Sequence, residues 1–491
     1  MSTEDNRTPG ADKTQGVAGA GGAALAAKVV AQASQLLLFI VAARFLVPAD
    51  FGVFALVAAS SALLFLIAAA GWREFIMSWG GSANAVNQAL TLALTSGYAI
   101  SLLGLTAAAI MVLHYESPIL ALLTITFSAC VLMAPMTSAL GGLLVRLERV
   151  PMLSAVLIVS EIAGLGMGVY GLVSGWGILA LGAAKLITQL IALLGSLAIA
   201  RWPLRITLRG GFGPEIKELS QQILINRVIN FLSNNASIFI VGFYLGVTNT
   251  GLYRAAERVI SSIAELVFDP LRLLAWMVFR RAADRAPNPK MIKDEVAQEA
   301  SIFLPLTIVF ASPVFVGLSV VSEEVVTLLL GEVWLPAAPV VSILAMSALL
   351  LTPNIATEPL LTLNGKVRAL APIAVINAII TIIVLLAFTR FGLIAAAFAR
   401  LAASFCVMAG AIWLQTRHAG APWLGTMKRA APLYTALIAL VSSVYGARFL
   451  LADYDVSLVG TMAVEVLIGA VVYFGVIMLI RPSYLRSALW L

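Results

Sequence analysis

Charge is what this chain of 491 residues has least of: Asp, Glu, Lys and Arg make up 11% of it, against 61% hydrophobic residues. A soluble domain is roughly a quarter charged, so this composition cannot cover a water-facing surface. The mean hydropathy of +1.00 excludes one for the same reason. Cysteine is nearly missing: Cys130 and Cys406 both lie in apolar runs, which indicates neither a disulfide framework nor a thiolate metal centre. Histidine is as scarce, and His114 and His418 are far apart, too few for a His-rich metal site. No GxxxxGK[ST] phosphate loop occurs, so bound ATP has no visible seat. No cofactor and no metal are implied. Residues 1–20 are polar and Gly-rich, not basic-then-apolar, so the first apolar run is expected to remain as a span rather than be cleaved.

What the chain does have is apolar runs of membrane length, each needing about 20 residues to cross a bilayer. Fourteen can be read, from 21–46 at one end to 458–480 at the other. None alternates apolar and polar as barrel strands do. The predicted fold is an all-α polytopic membrane protein with about 14 transmembrane helices. Basic residues are retained on the cytoplasmic side of such proteins. The tails and even-numbered connections carry twenty-one Lys and Arg, while the opposite face has only Arg44, Arg390 and Arg448. Both termini are therefore expected in the cytoplasm. The net charge of +7 is accounted for by topology, without a nucleic-acid partner.

A repeat runs through the chain. Phe45-Leu46, Gly52 and Phe54 return as Tyr244-Leu245, Gly251 and Tyr253, each displaced by 199. Lys28 and Arg227, Gln35 and Asn234, and Arg73 and Arg272 share that offset. Chance explains matches among small apolar residues more readily than matches between polar residues inside apolar helices. An even number of spans per copy makes the repeats parallel, giving two pseudo-symmetric six-helix lobes plus two C-terminal helices. The expected layout is a tail at 1–20, an N-lobe at 21–200 and a cytoplasmic linker at 201–218. A C-lobe at 219–416, a loop at 417–430, the added helix pair at 431–480 and a tail at 481–491 complete it. Facing lobes of this kind are expected to enclose a central cavity that opens to each side in turn.

Thirteen charges fall inside the spans: Lys28, Lys185, Arg227, Arg254, Arg258, Arg272 and Arg400, with Glu161, Glu257, Glu265, Asp269, Glu358 and Glu465. Facing lipid at mid-depth they would cost on the order of 30–45 kcal/mol together, more than a marginally stable protein can carry. Most are therefore expected to face a wet cavity or one another. Lys28, Gln32 and Gln35 share one helix face, and Arg227, Asn230 and Asn234 share the equivalent face in the second lobe. Arg254, Glu257, Arg258, Ser261, Ser262, Glu265, Asp269 and Arg272 fall within an arc of roughly 140°. Lys28 and Arg227 have no acid within a turn on their own helices, which points to an anion-binding surface. Arg254, Arg258 and Arg272 are candidates for the same surface. Arg254–Glu257 and Asp269–Arg272 are equally readable as neutralising pairs at i+3, and Arg254 and Arg258 as side chains snorkelling to the headgroups. The acids are candidates for coupling to H+ or Na+, or for holding a neighbouring base. Seven prolines interrupt the spans: Pro135, Pro270, Pro305, Pro313, Pro353, Pro359 and Pro372. The 201–218 stretch, with Arg201, Arg205 and Arg209 at helical spacing, reads as a helix lying on anionic headgroups.

The segment Ala43-Arg44-Phe45-Leu46-Val47-Pro48-Ala49-Asp50-Phe51-Gly52-Val53-Phe54 resembles the opening signature of the polysaccharide transporters, Wzx-type flippases of the multidrug/oligosaccharidyl-lipid/polysaccharide superfamily. The stretches Gly242–Gly246 and Gly251–Ala256 are similar to that family's helix 7–8 junction. Gly71-Trp72-Arg73-Glu74 departs from the Gly-Leu-Gly usual after helix 2. The resemblance implies a flippase of the bacterial inner membrane that moves a polyprenyl-diphosphate-linked oligosaccharide to the periplasmic leaflet, with Lys28 and Arg227 placed to meet the diphosphate. Membrane lipids and a polysaccharide polymerase are the implied partners. A lipid II flippase and a multidrug antiporter of the same superfamily are the alternatives; the basic cavity charges disfavour the second. An integral-membrane polymerase or ligase is disfavoured by the short far-side loops.

Overall fold

In this computed structural model, residues 11–69, 71–78, 83–115, 118–202, 214–288, 290–451, 453–454 and 457–480 are described. These residues form helices and no strand, in two compact units. One comprises Met1–Leu46 and Val53–Val228, the other Val47–Gly52 and Ile229–Leu491.

The chain runs through α1 (Ala11–Phe45), α2 (Pro48–Ala69), the short α3 (Trp72–Ser78), α4 (Ala83–Tyr115), α5 (Pro118–Arg146), α6 (Val150–Val173) and α7 (Leu179–Ala200). The long α8 (Pro214–Arg285) is followed by α9 (Ile292–Val320), the short α10 (Ser322–Leu329), α11 (Ala338–Leu350), α12 (Thr357–Leu363) and α13 (Leu370–Phe388). Last come α14 (Leu393–Ala419), the short α15 (Trp423–Ala430), α16 (Pro432–Leu451) and α17 (Leu458–Ile480). Pro48, Pro118, Pro214 and Pro432 each open a helix, where a missing N–H costs nothing and the fixed φ suits the first turn.

Thirteen helical stretches among the described residues are long and apolar enough to cross a membrane. One of them, Arg227–Arg285, has 59 residues, nearly three times the roughly 20 that a bilayer needs. Gly246 divides it with φ 78° and ψ 179°, a conformation that a side chain would resist. Split there, the thirteen stretches become the fourteen spans expected. Residues 203–213, most of the predicted surface helix, lie outside the described residues, and α8 already begins at Pro214 inside the stretch expected to be linker.

The prolines act less uniformly than the sequence implies. Pro135, Pro270, Pro305 and Pro313 sit inside continuous helices. Pro359 and Pro372 fall in the first turns of α12 and α13. Only Pro353 sits at a break, a 3-10 turn at Thr352–Ala356 between α11 and α12. The fully buried Gln415 closes that break. Its Nε2 donates to Pro353 O at 2.8 Å and to Thr357 Oγ1 at 2.7 Å, and its Oε1 accepts from Trp423 Nε1 at 2.9 Å.

In the first unit, Phe75, Ile76, Leu90, Leu140, Leu143 and Leu144 form an apolar cluster around α3, α4 and α5. In the second, Phe279, Phe303, Leu304, Leu360 and Trp423 do the same. A further cluster seats α16 and α17 on α9, where Tyr473 donates its hydroxyl to Val309 O at 2.8 Å. The outward faces are as apolar as the cores: Leu479 is 84% exposed and Phe243 83% exposed, positions that suit lipid.

The repeat is visible as a contact. A Cβ built on Gly52 would lie 1.7 Å from Val247 O, and one built on Gly251 would lie 1.8 Å from Pro48 O. Pro48 and Val247 are themselves separated by 199 positions. Each glycine thus rests on the backbone of its counterpart's helix start, a reciprocal crossing that only residues without a side chain allow.

Candidate functional site

In the first unit, α1 carries Lys28, Gln32 and Gln35. Lys28 is exposed and the two glutamines are half-buried. Gln35 Nε2 donates to Glu161 Oε1 on α6 at 3.3 Å, so an expected binding residue and an expected coupling acid share one hydrogen bond. Lys185 is exposed on α7.

Arg227 corrects the sequence reading of an unpaired cation. Its Nη2 lies 2.5 Å from Glu74 Oε1, and the two side chains are 37% and 36% exposed. The partner comes from α3, 153 positions away, far beyond the one-turn range that helix periodicity reports. Glu74 Oε2 is buried with no hydrogen-bond partner among the described residues. The Asn230 side chain lies outside the described residues.

In the second unit, Asn234 is exposed, and the polar stripe of α8 follows Gly246. Both i+3 pairs read from the sequence form: Arg254 Nη1 to Glu257 Oε2 at 2.8 Å, and Arg272 Nη1 to Asp269 Oδ1 at 3.6 Å. Arg258 lies between them, half-buried, and its Nη2 is buried with no hydrogen-bond partner among the described residues. Ser261 and Ser262 donate to Arg258 O at 3.1 and 2.9 Å, so their hydroxyls serve the backbone. Glu265 is half-buried beside them. Half-exposed pairs such as Arg254–Glu257 hold together by only about 1 kcal/mol or less, so a stronger anion can displace the carboxylate. Glu358 is exposed on α12 and Arg400 half-buried on α14.

Glu465 is the one candidate acid with a fully buried side chain among the described residues. Arg448 forks onto it, Nε to Oε1 at 3.0 Å and Nη2 to Oε2 at 3.3 Å, and Nη2 also reaches Glu324 Oε1 at 2.5 Å. Arg448 was expected in a far-side loop, yet it belongs to the last turn of α16. Glu324, on α10 outside the spans, was not singled out from the sequence. Burial, the largest influence, pushes its carboxyl above the ordinary glutamate value, opposed by a backbone hydrogen bond and by the Arg448 charge. The signal available beforehand was the 17-residue separation of Arg448 and Glu465 across a helix hairpin.

Residues 41–339 match the model of a family described as polysaccharide biosynthesis protein. The chain is 26% identical over 343 residues to the succinoglycan biosynthesis transport protein ExoT of Rhizobium meliloti (strain 1021), covering 67% of this chain and 66% of that protein. It is 26% identical over 129 residues to the teichuronic acid biosynthesis protein TuaB of Bacillus subtilis (strain 168), covering 26% of this chain and 25% of that one. The chain thus spans just under two thirds of the length of the one relative and a quarter of the other. Among solved structures, the lipid II flippase MurJ in an inward closed conformation superposes with a TM-score of 0.70 at 14% identity, over 93% of this chain and 98% of that one. An inward-facing multidrug resistance MATE family transporter of the MOP superfamily gives 0.63 at 13% identity, over 79% and 94%. At such identities the likeness is one of fold.

Proposed function

We propose, because the chain belongs to the polysaccharide biosynthesis protein family, that it flips a polyprenyl-diphosphate-linked oligosaccharide from the cytoplasmic to the periplasmic leaflet by alternating access, for exopolysaccharide, O-antigen or capsule assembly. The alignment over 343 residues with a protein named for succinoglycan biosynthesis transport carries this reading. The physics of such a cargo agrees with the residues. Its diphosphate-sugar head cannot enter hydrocarbon without heavy desolvation cost, whereas its tail can stay in lipid. What the protein must supply is a hydrated path lined by cations. Lys28, Arg227, Arg254, Arg258 and Arg272 are the residues we assign to contacts with the diphosphate along that path. Gln32, Gln35, Asn230 and Asn234 supply neutral hydrogen bonds to the sugars.

Arg258 offers a buried donor that has no hydrogen-bond partner among the described residues. Arg227 and Arg254 would exchange a carboxylate for a diphosphate oxygen. The excess of basic residues in alternate connections supports both termini lying in the cytoplasm, and the inner membrane is the location that goes with this reading. A polysaccharide polymerase is the expected recipient of the flipped lipid. Coupling to an H+ or Na+ gradient, through Glu161, Glu257, Glu265, Asp269, Glu358 or Glu465, completes the proposal.

The test is a deletion strain. It should accumulate the lipid-linked intermediate and lack surface polymer, with both defects cured by the wild-type gene but not by Lys28→Ala or Arg258→Ala forms that reach the membrane. Normal polymer in the deletion strain, with no intermediate retained, would overturn the reading. Loss of viability would transfer it to a peptidoglycan precursor.

A further inference from the structure

Apart from the polar helix faces, the second unit holds a cavity of about 270 Å³. Its walls come from three places: Ile292 and Lys293 in the first turn of α9, Leu363, Asn364 and Lys366 where α12 ends, and Arg417 and His418 in the last turn of α14. Four of the seven lining residues are basic and none is acidic. All three segments belong to even-numbered connections, the basic face of the topology.

Among the described residues, no hydrogen bond or ion pair engages the side chain of Lys293, Lys366, Arg417 or His418. The His418 ring is held edge-on against Trp413, with centroids 6.0 Å apart, which orients the imidazole without using its nitrogens. Asn364 spends one amide hydrogen on Leu360 O at 2.8 Å and keeps the other. Like charges gathered around one hollow, with no carboxylate among them, are stabilised by an anion that enters it. The donor set suits phosphoryl oxygens: a planar guanidinium fork, two ammonium point charges, an imidazole and an amide. The volume lies just below the usual range for small-molecule sites, about 300–1,000 Å³, and so admits a phosphate or diphosphate group rather than an oligosaccharide.

We propose that this cavity binds a phosphoryl anion at the cytoplasmic surface, supplied by an anionic lipid headgroup or by a soluble phosphate compound. The site is separate from the residues assigned to the transported lipid, and its existence does not depend on what that lipid is.

Two arms distinguish the sources. The full chain in phosphatidylcholine nanodiscs is titrated with inorganic pyrophosphate by calorimetry. In parallel, the protein in nanodiscs containing phosphatidylglycerol is examined by native mass spectrometry for retained phosphatidylglycerol. Each is repeated with Lys366→Gln/Arg417→Gln, with the charge-keeping Lys366→Arg/Arg417→Lys, and with the single Lys293→Gln on an exposed position. Binding in at least one arm should weaken about tenfold or more in the double Gln variant, less in Lys293→Gln, and little in the charge-keeping variant. Pyrophosphate binding marks a soluble ligand and lipid retention marks a headgroup; either supports the site. The proposal falls if neither probe separates wild type from the Gln variants that melt as wild type does.

Discussion

Arg448→Met would strand two acids. Glu465, with a side chain 0% exposed, and Glu324, with one 12% exposed, depend on the guanidinium that bridges them. Removing one partner of a buried ion pair costs about 3–5 kcal/mol, chiefly because the remaining charge stays buried. Arg448 is itself 34% exposed, so water relieves part of that and the expected cost is about 3 kcal/mol. It falls on the seating of α10 against the α16–α17 hairpin. Opening that seat should therefore become easier by roughly a hundredfold, since 1.36 kcal/mol is a factor of ten. The assay is amide hydrogen exchange of α17 around Glu465, compared at one pH. Glu465→Gln should change exchange by less than about tenfold, because a neutral acceptor remains and Arg448 keeps Glu324. The double variant Arg448→Met/Glu465→Leu removes the stranded charge and should recover most of the loss, a coupling a double-mutant cycle reads directly. Exchange in Arg448→Met within about threefold of wild type would refute the argument, because that is under 1 kcal/mol.

Two further outcomes follow from the same structure. Gly251→Ala puts a methyl 1.8 Å from the backbone oxygen of Pro48, which no rotamer change relieves. The expected cost is about 1–3 kcal/mol and a lowered melting temperature in detergent, with Gly52→Ala behaving alike; an Ala variant that melts with the wild type would contradict the crossing. Glu324 has a carboxyl raised above its ordinary value by burial, so the folded form holds the proton more tightly than the unfolded one. Its stability contribution is full below the unfolded value and is lost as pH rises through the folded value. Acidifying from neutral toward about pH 5 should raise the melting temperature of wild type relative to Glu324→Gln, and a fall would reverse the assignment.

Much of the architecture follows from the order of residues alone. Scarcity of charge dictates a bilayer as solvent, and runs of some 20 apolar residues can cross it only as helices. The asymmetry of Lys and Arg between alternate connections counts the spans, including the two within α8 that Gly246 separates. The 199-residue offset pairs Gly52 with Gly251, the two glycines of the reciprocal crossing. The pairs Arg254–Glu257 and Asp269–Arg272 were legible because helix geometry brings i and i+3 together whatever surrounds them.

The tertiary structure alone decided the rest: that Arg227 meets Glu74, that Gln35 meets Glu161, that Arg448 serves both Glu465 and Glu324, and that Lys366 and Arg417 share a hollow with Lys293. The reason is one of range. A periodic pattern reports which face of a helix is polar, since that depends on neighbours three and four positions away. Which distant helix presents the opposing charge depends on how the helices pack, and that is set by the apolar fit of many side chains at once.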